Sequence, residues 1–196
     1  MTKTSREKLA EIALGLFFKK GFKETSVGDI EEEAGLTRRA GGFYRHFSSK
    51  EEVLIDSVRR MSGELIAEIR LGDVLAQKSV RAELLIIAQG LLDHAKDYRT
   101  LRLLLQREAH KLPALKEVMQ EANLTLARQD IVPWTEHALK RAGKRGDPVT
   151  MAFLIFGPVL LYLISEDRGQ PAFGLRRHKA LESWADYWAG ELAEKP

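Results

Sequence analysis

The sequence predicts an all-α protein: an N-terminal three-helix helix-turn-helix unit followed by a C-terminal helical bundle. Three observations carry this. Apolar residues recur at i, i+3, i+4 and i+7 along most of the 196-residue chain. Capping residues, glycines and prolines punctuate that pattern at helical lengths, and no segment alternates as a strand would. With 44% hydrophobic and 30% charged residues, the composition supports a packed core rather than disorder. Cysteine is absent, which excludes disulfides, thiolate metal sites and a cysteine nucleophile.

Thr4-Ser5-Arg6-Glu7 has capping-box form, and Leu9, Ile12, Ala13, Leu16 and Phe17 follow as one stripe. A first helix is therefore expected over Ser5–Lys20, closed by Gly21, with Phe22 folding back on the stripe. Ser26, with Asp29 three residues on, predicts a short second helix ending at Gly35 and burying Val27, Ile30 and Ala34. Its Glu31, Glu32 and Glu33 would be repelled by a polyanion and are expected to point elsewhere. Gly35-Leu36 predicts a tight turn and Thr37 the cap of a third helix reaching about Phe47. On that helix Leu36, Ala40, Phe43 and Phe47 form the core face. Arg38, Gly41, Gly42 and Arg45 then face outward, where glycine lets backbone approach a bulky partner; close packing of the glycines against another helix, or a helix that begins later, is the alternative.

Charge singles out the same region. Residues 1–50 hold ten lysines and arginines against seven acids, whereas residues 51–196 hold 21 of each, so all the excess is N-terminal. Leu36 to Lys50 carries +4 with no carboxylate, a footprint suited to phosphate. Arginine forks fit guanine edges, and Tyr44, His46 and Lys50 flank the face as backbone contacts. A solvated basic face, or one that meets an acidic protein partner, is the competing explanation.

Two stretches, FFKKGFKETSVGDIEEEAGLT (Phe17 to Thr37) and FYRHFSSKEEVL (Phe43 to Leu54), resemble the TetR family of bacterial transcriptional regulators. The resemblance covers about the first quarter of the chain. It implies a homodimer on double-stranded DNA at a palindromic operator, a repressor released when a small-molecule effector of unknown class binds the C-terminal body. It also implies residues 1–50 as the DNA-binding domain and 51–196 as the ligand-binding and dimerisation domain, joined by a fourth helix over about 49–70. By position, Thr25 and Ser26 would meet phosphate, Tyr44 and His46 the backbone, and Lys50 phosphate near helix four. Between Thr37 and Phe43 this chain is two residues longer than the family pattern. Counting from the turn and counting back from Tyr44 therefore assign Thr37, Arg38 and Arg39 different contacts.

Helix four carries Val53, Leu54, Val58, Met61 and Leu65, and Gly72-Asp73 is the expected break after it. Further helical segments are expected at about Val80–Lys96, Tyr98–His110, Pro113–Ala142 with a kink at Pro133, Pro148–Ser165 and Leu175–Leu192. Met151 to Ile164 is too short to span a bilayer, which takes roughly 20 residues, and is expected to be a buried helix. The polar N-terminus lacks a secretory pattern, so a cytoplasmic protein with no membrane partner is expected.

Leu181, Trp184, Trp188 and Leu192 form one stripe which, with Leu160 and Ile164, is expected to pair across a two-fold axis. Trp134, Phe153 and Phe156, with His110 and His137 as polar anchors, are the expected effector contacts. No nucleophile-base pairing, phosphate loop or metal signature is present, so no enzyme activity, cofactor or metal is expected. Asp93, His94 and Asp97 are the best catalytic or metal candidates, and a solvated helix surface explains them better.

Overall fold

The computed structural model describes residues 4–38, 40–68 and 71–193. Its α-helices are α1 (Ser5–Lys20), α2 (Val27–Glu33), α3 (Lys50–Glu68), α4 (Leu71–Leu75), α5 (Val80–Asp97), α6 (Arg99–Glu108), α7 (Pro113–Leu126), α8 (Val132–Arg141), α9 (Pro148–Asp167) and α10 (Arg177–Glu191). No strand occurs among the described residues, so the all-α fold class holds. The chain divides into two compact units, one comprising the chain to Met61 with Tyr98–Ala122, the other Ser62–Asp97 with the chain from Asn123 onward.

In the N-terminal unit, α1 starts where its capping box says it should. The Thr4 hydroxyl accepts the Glu7 N–H at 3.3 Å, and the Glu7 carboxylate accepts the Thr4 N–H at 2.8 Å. At the other end Gly21 leaves helical geometry at φ 103°, and the Phe22 ring folds back edge-on to Phe17, 5.0 Å between centroids. Around Phe17 pack Ile30 of α2, Leu54 of α3, Leu101 and Leu104 of α6 and Leu115 of α7. Arg107 fastens α6 to the end of α1 by donating to the Phe17 carbonyl at 2.8 Å.

The second unit is centred on Trp134, fully buried in α8. Its indole N–H donates to Glu83 of α5 at 2.8 Å, and Arg141 completes the cluster with donors 2.7 and 2.6 Å from the two Glu83 oxygens. Phe156 of α9 meets the Trp134 ring edge-on at 5.5 Å. Between α7 and α8 the helix widens into a π turn over Ala127–Ile131, directly before Pro133. A proline has no N–H to give and its ring presses on the carbonyl four residues back, so the ladder must reorganise there.

Two expectations are corrected. Gly72-Asp73 does not break the chain but lies within α4. Met151–Ile164 belongs to a 20-residue helix buried on one side only: Ala152, Ile155, Phe156, Val159 and Tyr162 face in, while Phe153, Leu154, Leu160, Leu161 and Ile164 are exposed. α9 is long and apolar enough to cross a membrane by composition, but Gly157-Pro158 interrupts it and its inner face packs against the Trp134 core.

Candidate nucleic-acid interface

The basic segment is carried by α2. Ser26 caps that helix through the Asp29 N–H at 3.1 Å, and the Asp29 carboxylate returns to the Ser26 N–H at 2.8 Å and hydroxyl at 2.7 Å. These two Ser26 donors hold the Asp29 carboxyl below the usual aspartate range. Gly35, at φ 70°, turns the chain out of the helix, where a side chain would be strained.

Among the described residues, the third helix expected from Thr37 to Phe47 is reduced to a single 3-10 turn, Phe43–Arg45, with turns and bends beside it. The adjacent glycines explain this. Gly41 sits at φ 76°, incompatible with a right-handed helix, and at Gly42 the backbone is helical. The turns expose Ala40, leave Leu36 40% exposed, and keep only Phe43 and Phe47 of the expected core face buried. Nor do the glycines form an outward pair. Space beside Gly41 is open, whereas a methyl group on Gly42 would lie 3.0 Å from a Leu36 methyl.

Glu31 holds the segment down from beneath. Although adjacent to exposed Glu32 and Glu33, it is buried and accepts the Phe43 N–H at 3.1 Å. The far end is held by Arg6, which bonds Asp56 at 2.9 Å and Glu52 at 3.1 Å, donates to the His46 carbonyl, and lies 4.1 Å over the Phe47 ring. The Ser48 hydroxyl and N–H, with Arg6, hold the Glu52 carboxyl below its usual range. Sequence periodicity does not reveal either support, because each joins residues distant along the chain.

The positions of the expected contacts differ. Ser26, Thr37, Tyr44 and Arg45 are exposed and His46 is half-buried; among the described residues no carboxylate pairs with Arg45. Arg38 is exposed but already engaged, 3.3 Å from Asp29 and 3.4 Å from Glu32. Its side chain lies over Gly28, where a methyl group would meet the Arg38 Nε at 2.9 Å. Arg39 lies outside the described residues.

Two expected phosphate contacts turn inward instead. The Thr25 hydroxyl is fully buried and donates to the Gly21 carbonyl at 2.8 Å. The Lys50 ammonium donates to the Phe22 and Thr25 carbonyls at 2.5 and 2.6 Å and lies 4.7 Å from the Phe22 ring, and burial lowers its pKa. Both fasten the α1–α2 turn, because open helix-end carbonyls recruit the nearest donors.

Among the described residues, only Trp134 and Phe156 of the expected effector contacts are seen to meet. Trp134 and Phe156 are packed core, Phe153 is 73% exposed, His137 is exposed, and His110 belongs to the other unit. The expected dimer stripe is corrected in part. Leu181 and Leu192 are buried within their own unit, Trp184 donates to the Ile155 carbonyl at 2.7 Å, and Trp188 packs against the same core. Leu160 and Ile164 are exposed.

The description "Bacterial regulatory proteins, tetR family" matches residues 9–56, which span α1, α2, the basic segment and the start of α3. The chain is a tetR-family protein. It is 30% identical over 164 residues to YuxN of Bacillus subtilis, an uncharacterised HTH-type transcriptional regulator, covering 81% of this chain and 54% of that protein. It is 33% identical over 142 residues to the HTH-type transcriptional regulator AcrR of Shigella flexneri, covering 67% and 62%. The tetR-family chain thus spans little more than half the length of these relatives. In fold it is similar to a putative TetR-family transcriptional regulator from Syntrophomonas wolfei, with TM-score 0.74, 18% identity and coverage of 98% and 96%.

Proposed function

We propose that this protein is a sequence-specific, DNA-binding transcriptional regulator, a cytoplasmic repressor without enzymatic activity, released from its operator by a small-molecule effector. The observation that carries the reading is the basic segment from Leu36 to Lys50. It contains no carboxylate, stands on buried Phe43 and Phe47, and exposes Thr37, Tyr44 and Arg45 beside the capped start of α2. Ser26, Thr37, Tyr44 and His46 contact the sugar-phosphate backbone, and Arg38 and Arg45 read base edges. Gly41 gives the segment room to settle into the groove. Thr25 and Lys50 support the site from within. Residues 1–50 form the DNA-facing part, and the remainder serves dimerisation and ligand sensing.

A second copy of the chain covers α9. Val149, Phe153, Leu160 and Ile164 fall within about 60° around the helix and all four are exposed, more apolar surface than a monomer leaves in water. Two-fold pairing buries that stripe and sets two basic segments against successive major grooves, about 34–36 Å apart. Selection of bound duplexes from a random pool tests the reading. A palindromic consensus is expected, with affinity that falls steeply with salt. Equal binding of all duplexes, or preference for an acidic protein competitor over duplex, would overturn it.

A further inference from the structure

The loop after α9 is built as a rigid wall. The Ser165 hydroxyl donates to the Tyr162 carbonyl at 2.6 Å and accepts the Ala172 N–H at 2.9 Å. The Tyr162 hydroxyl donates to the Leu175 carbonyl at 2.9 Å. Between this wall, the second half of α9 and the first half of α10 lies a cavity of about 250 Å³. Val159, Leu181 and Trp184 line it with carbon, and the Trp184 N–H already has its acceptor in Ile155. A polar ligand would find almost nothing to bond inside.

The mouth has the opposite character. Lys179 stands there, exposed. The cations before it in α10 are engaged, Arg177 with Glu166 and with Asp93 at 3.1 Å, and His178 with Glu182 at 3.2 Å. Among the described residues no carboxylate pairs with Lys179. Phe173 also lines the opening. It is the sole non-glycine residue at positive φ among those described, at 54°, and its side chain is 94% exposed. An aromatic ring held in water by an unfavoured backbone gains nothing from its own fold. Around α9, Leu161 on the cavity side lies about 60° from Ile164 at the edge of the exposed stripe, so a partner seated on that stripe borders the opening.

We propose that this cavity binds a small amphipathic acid with a single apolar tail and one carboxylate. The tail lies on Val159, Leu181 and Trp184, the carboxylate meets Lys179, and the Phe173 ring closes over the chain. A volume just below the roughly 300 Å³ at which ordinary ligand pockets begin suits one short tail rather than a fused-ring body. As the effector site of the regulator, the cavity rests on the function proposed above; binding itself does not.

The full chain is titrated with decanoate and with 1-decanol below their aggregation limits, read by tryptophan fluorescence and calorimetry. Saturable binding of one decanoate per chain is expected, with 1-decanol weaker by about tenfold or more. Lys179→Glu should weaken decanoate by about tenfold and leave 1-decanol unchanged. Phe173→Gly, which relieves the backbone and removes the ring, should weaken both. Trp184→Phe should abolish the fluorescence response while the calorimetric signal persists. No saturable binding, or decanoate affinity indifferent to Lys179→Glu, would overturn the proposal, as would a dimer in which the second copy excludes decanoate. Duplex binding is measured separately on ligand-free protein. Duplex binding without decanoate binding sinks the cavity alone, and decanoate binding without duplex binding sinks the regulator alone. Decanoate lowering duplex affinity in the wild type but not in Lys179→Glu supports both.

Discussion

Glu31 accepts the backbone N–H of Phe43 at 3.1 Å, and both residues are buried. A carboxylate that would repel DNA if it faced outward instead fixes the start of the turn that presents Tyr44 and Arg45. Glu31→Ala leaves that N–H without its acceptor and should cost about 1–3 kcal/mol in urea unfolding. Glu31→Gln keeps an acceptor oxygen at the same reach and should cost clearly less. Equal stability of the two variants would show that the carboxylate does not hold the segment.

Arg38 must exchange partners to reach DNA, because Asp29 and Glu32 hold it at 3.3 and 3.4 Å. Arg38→Ala and Arg45→Ala should each weaken operator binding by about 1–3 kcal/mol if they read bases. If they meet phosphate, each should instead lower the salt slope by about 1. Glu32→Gln loosens the Arg38 clamp and removes a repelling charge, so duplex affinity should rise, by no more than about 1 kcal/mol for an exposed pair. Anisotropy titrations over a salt series distinguish these outcomes.

The sequence made the α1 and α2 boundaries legible because both helices open on capping boxes, whose side chains bond backbone within three residues. The turn at Gly35 is legible because glycine adopts φ 70° without strain. Apolar spacing at Leu36, Ala40, Phe43 and Phe47 after it fits a helix that Gly41 at φ 76° does not form. The inward turn of Lys50 and Thr25 has no sequence signal, because their acceptors are backbone carbonyls, which no side-chain pattern reveals. Spacing marks the α10 stripe as apolar, but periodicity cannot tell packing within one chain from packing between two. The cavity at Trp184 is formed by three separate segments and had no sequence signal.

Glu83 is fully buried and answered by Arg141 and the Trp134 indole. Removing one side of such a pair leaves a charge without compensation, so Arg141→Met should destabilise the chain by about 3–5 kcal/mol and alter the near-ultraviolet signal of Trp134. Replacing Glu83 by Gln keeps an acceptor for the indole and should cost less than Arg141→Met. Thermal unfolding of the two variants checks the order.

The stripe on α9 places charge sensitivity at Leu160, which is 49% exposed. Leu160→Glu should leave helical content unchanged and halve the mass seen by light scattering at micromolar concentration, because the proposed pairing would have to bury a carboxylate on each copy. Operator affinity should fall with it, since two half-sites no longer bind as one. A dimer that persists unchanged would place the interface elsewhere.

Asp130 lies in the π turn before Pro133, 8% exposed, and among the described residues its Oδ2 meets no donor. Burial pushes this carboxyl above the usual aspartate value, so the folded chain holds the proton more tightly than the unfolded chain does. Its contribution to stability is therefore most favourable in acid. It is lost as pH rises from the unfolded aspartate value through the raised folded one, and above that the ionised group opposes folding fully. Asp130→Asn removes the charge without changing the shape. The variant should melt higher than wild type at neutral pH, and the difference should shrink as pH falls through the carboxylate range. A wild type whose stability instead rises across that interval relative to Asp130→Asn would mean that a donor reaches Oδ2 in solution. Melting curves of both proteins at several pH values decide between the two.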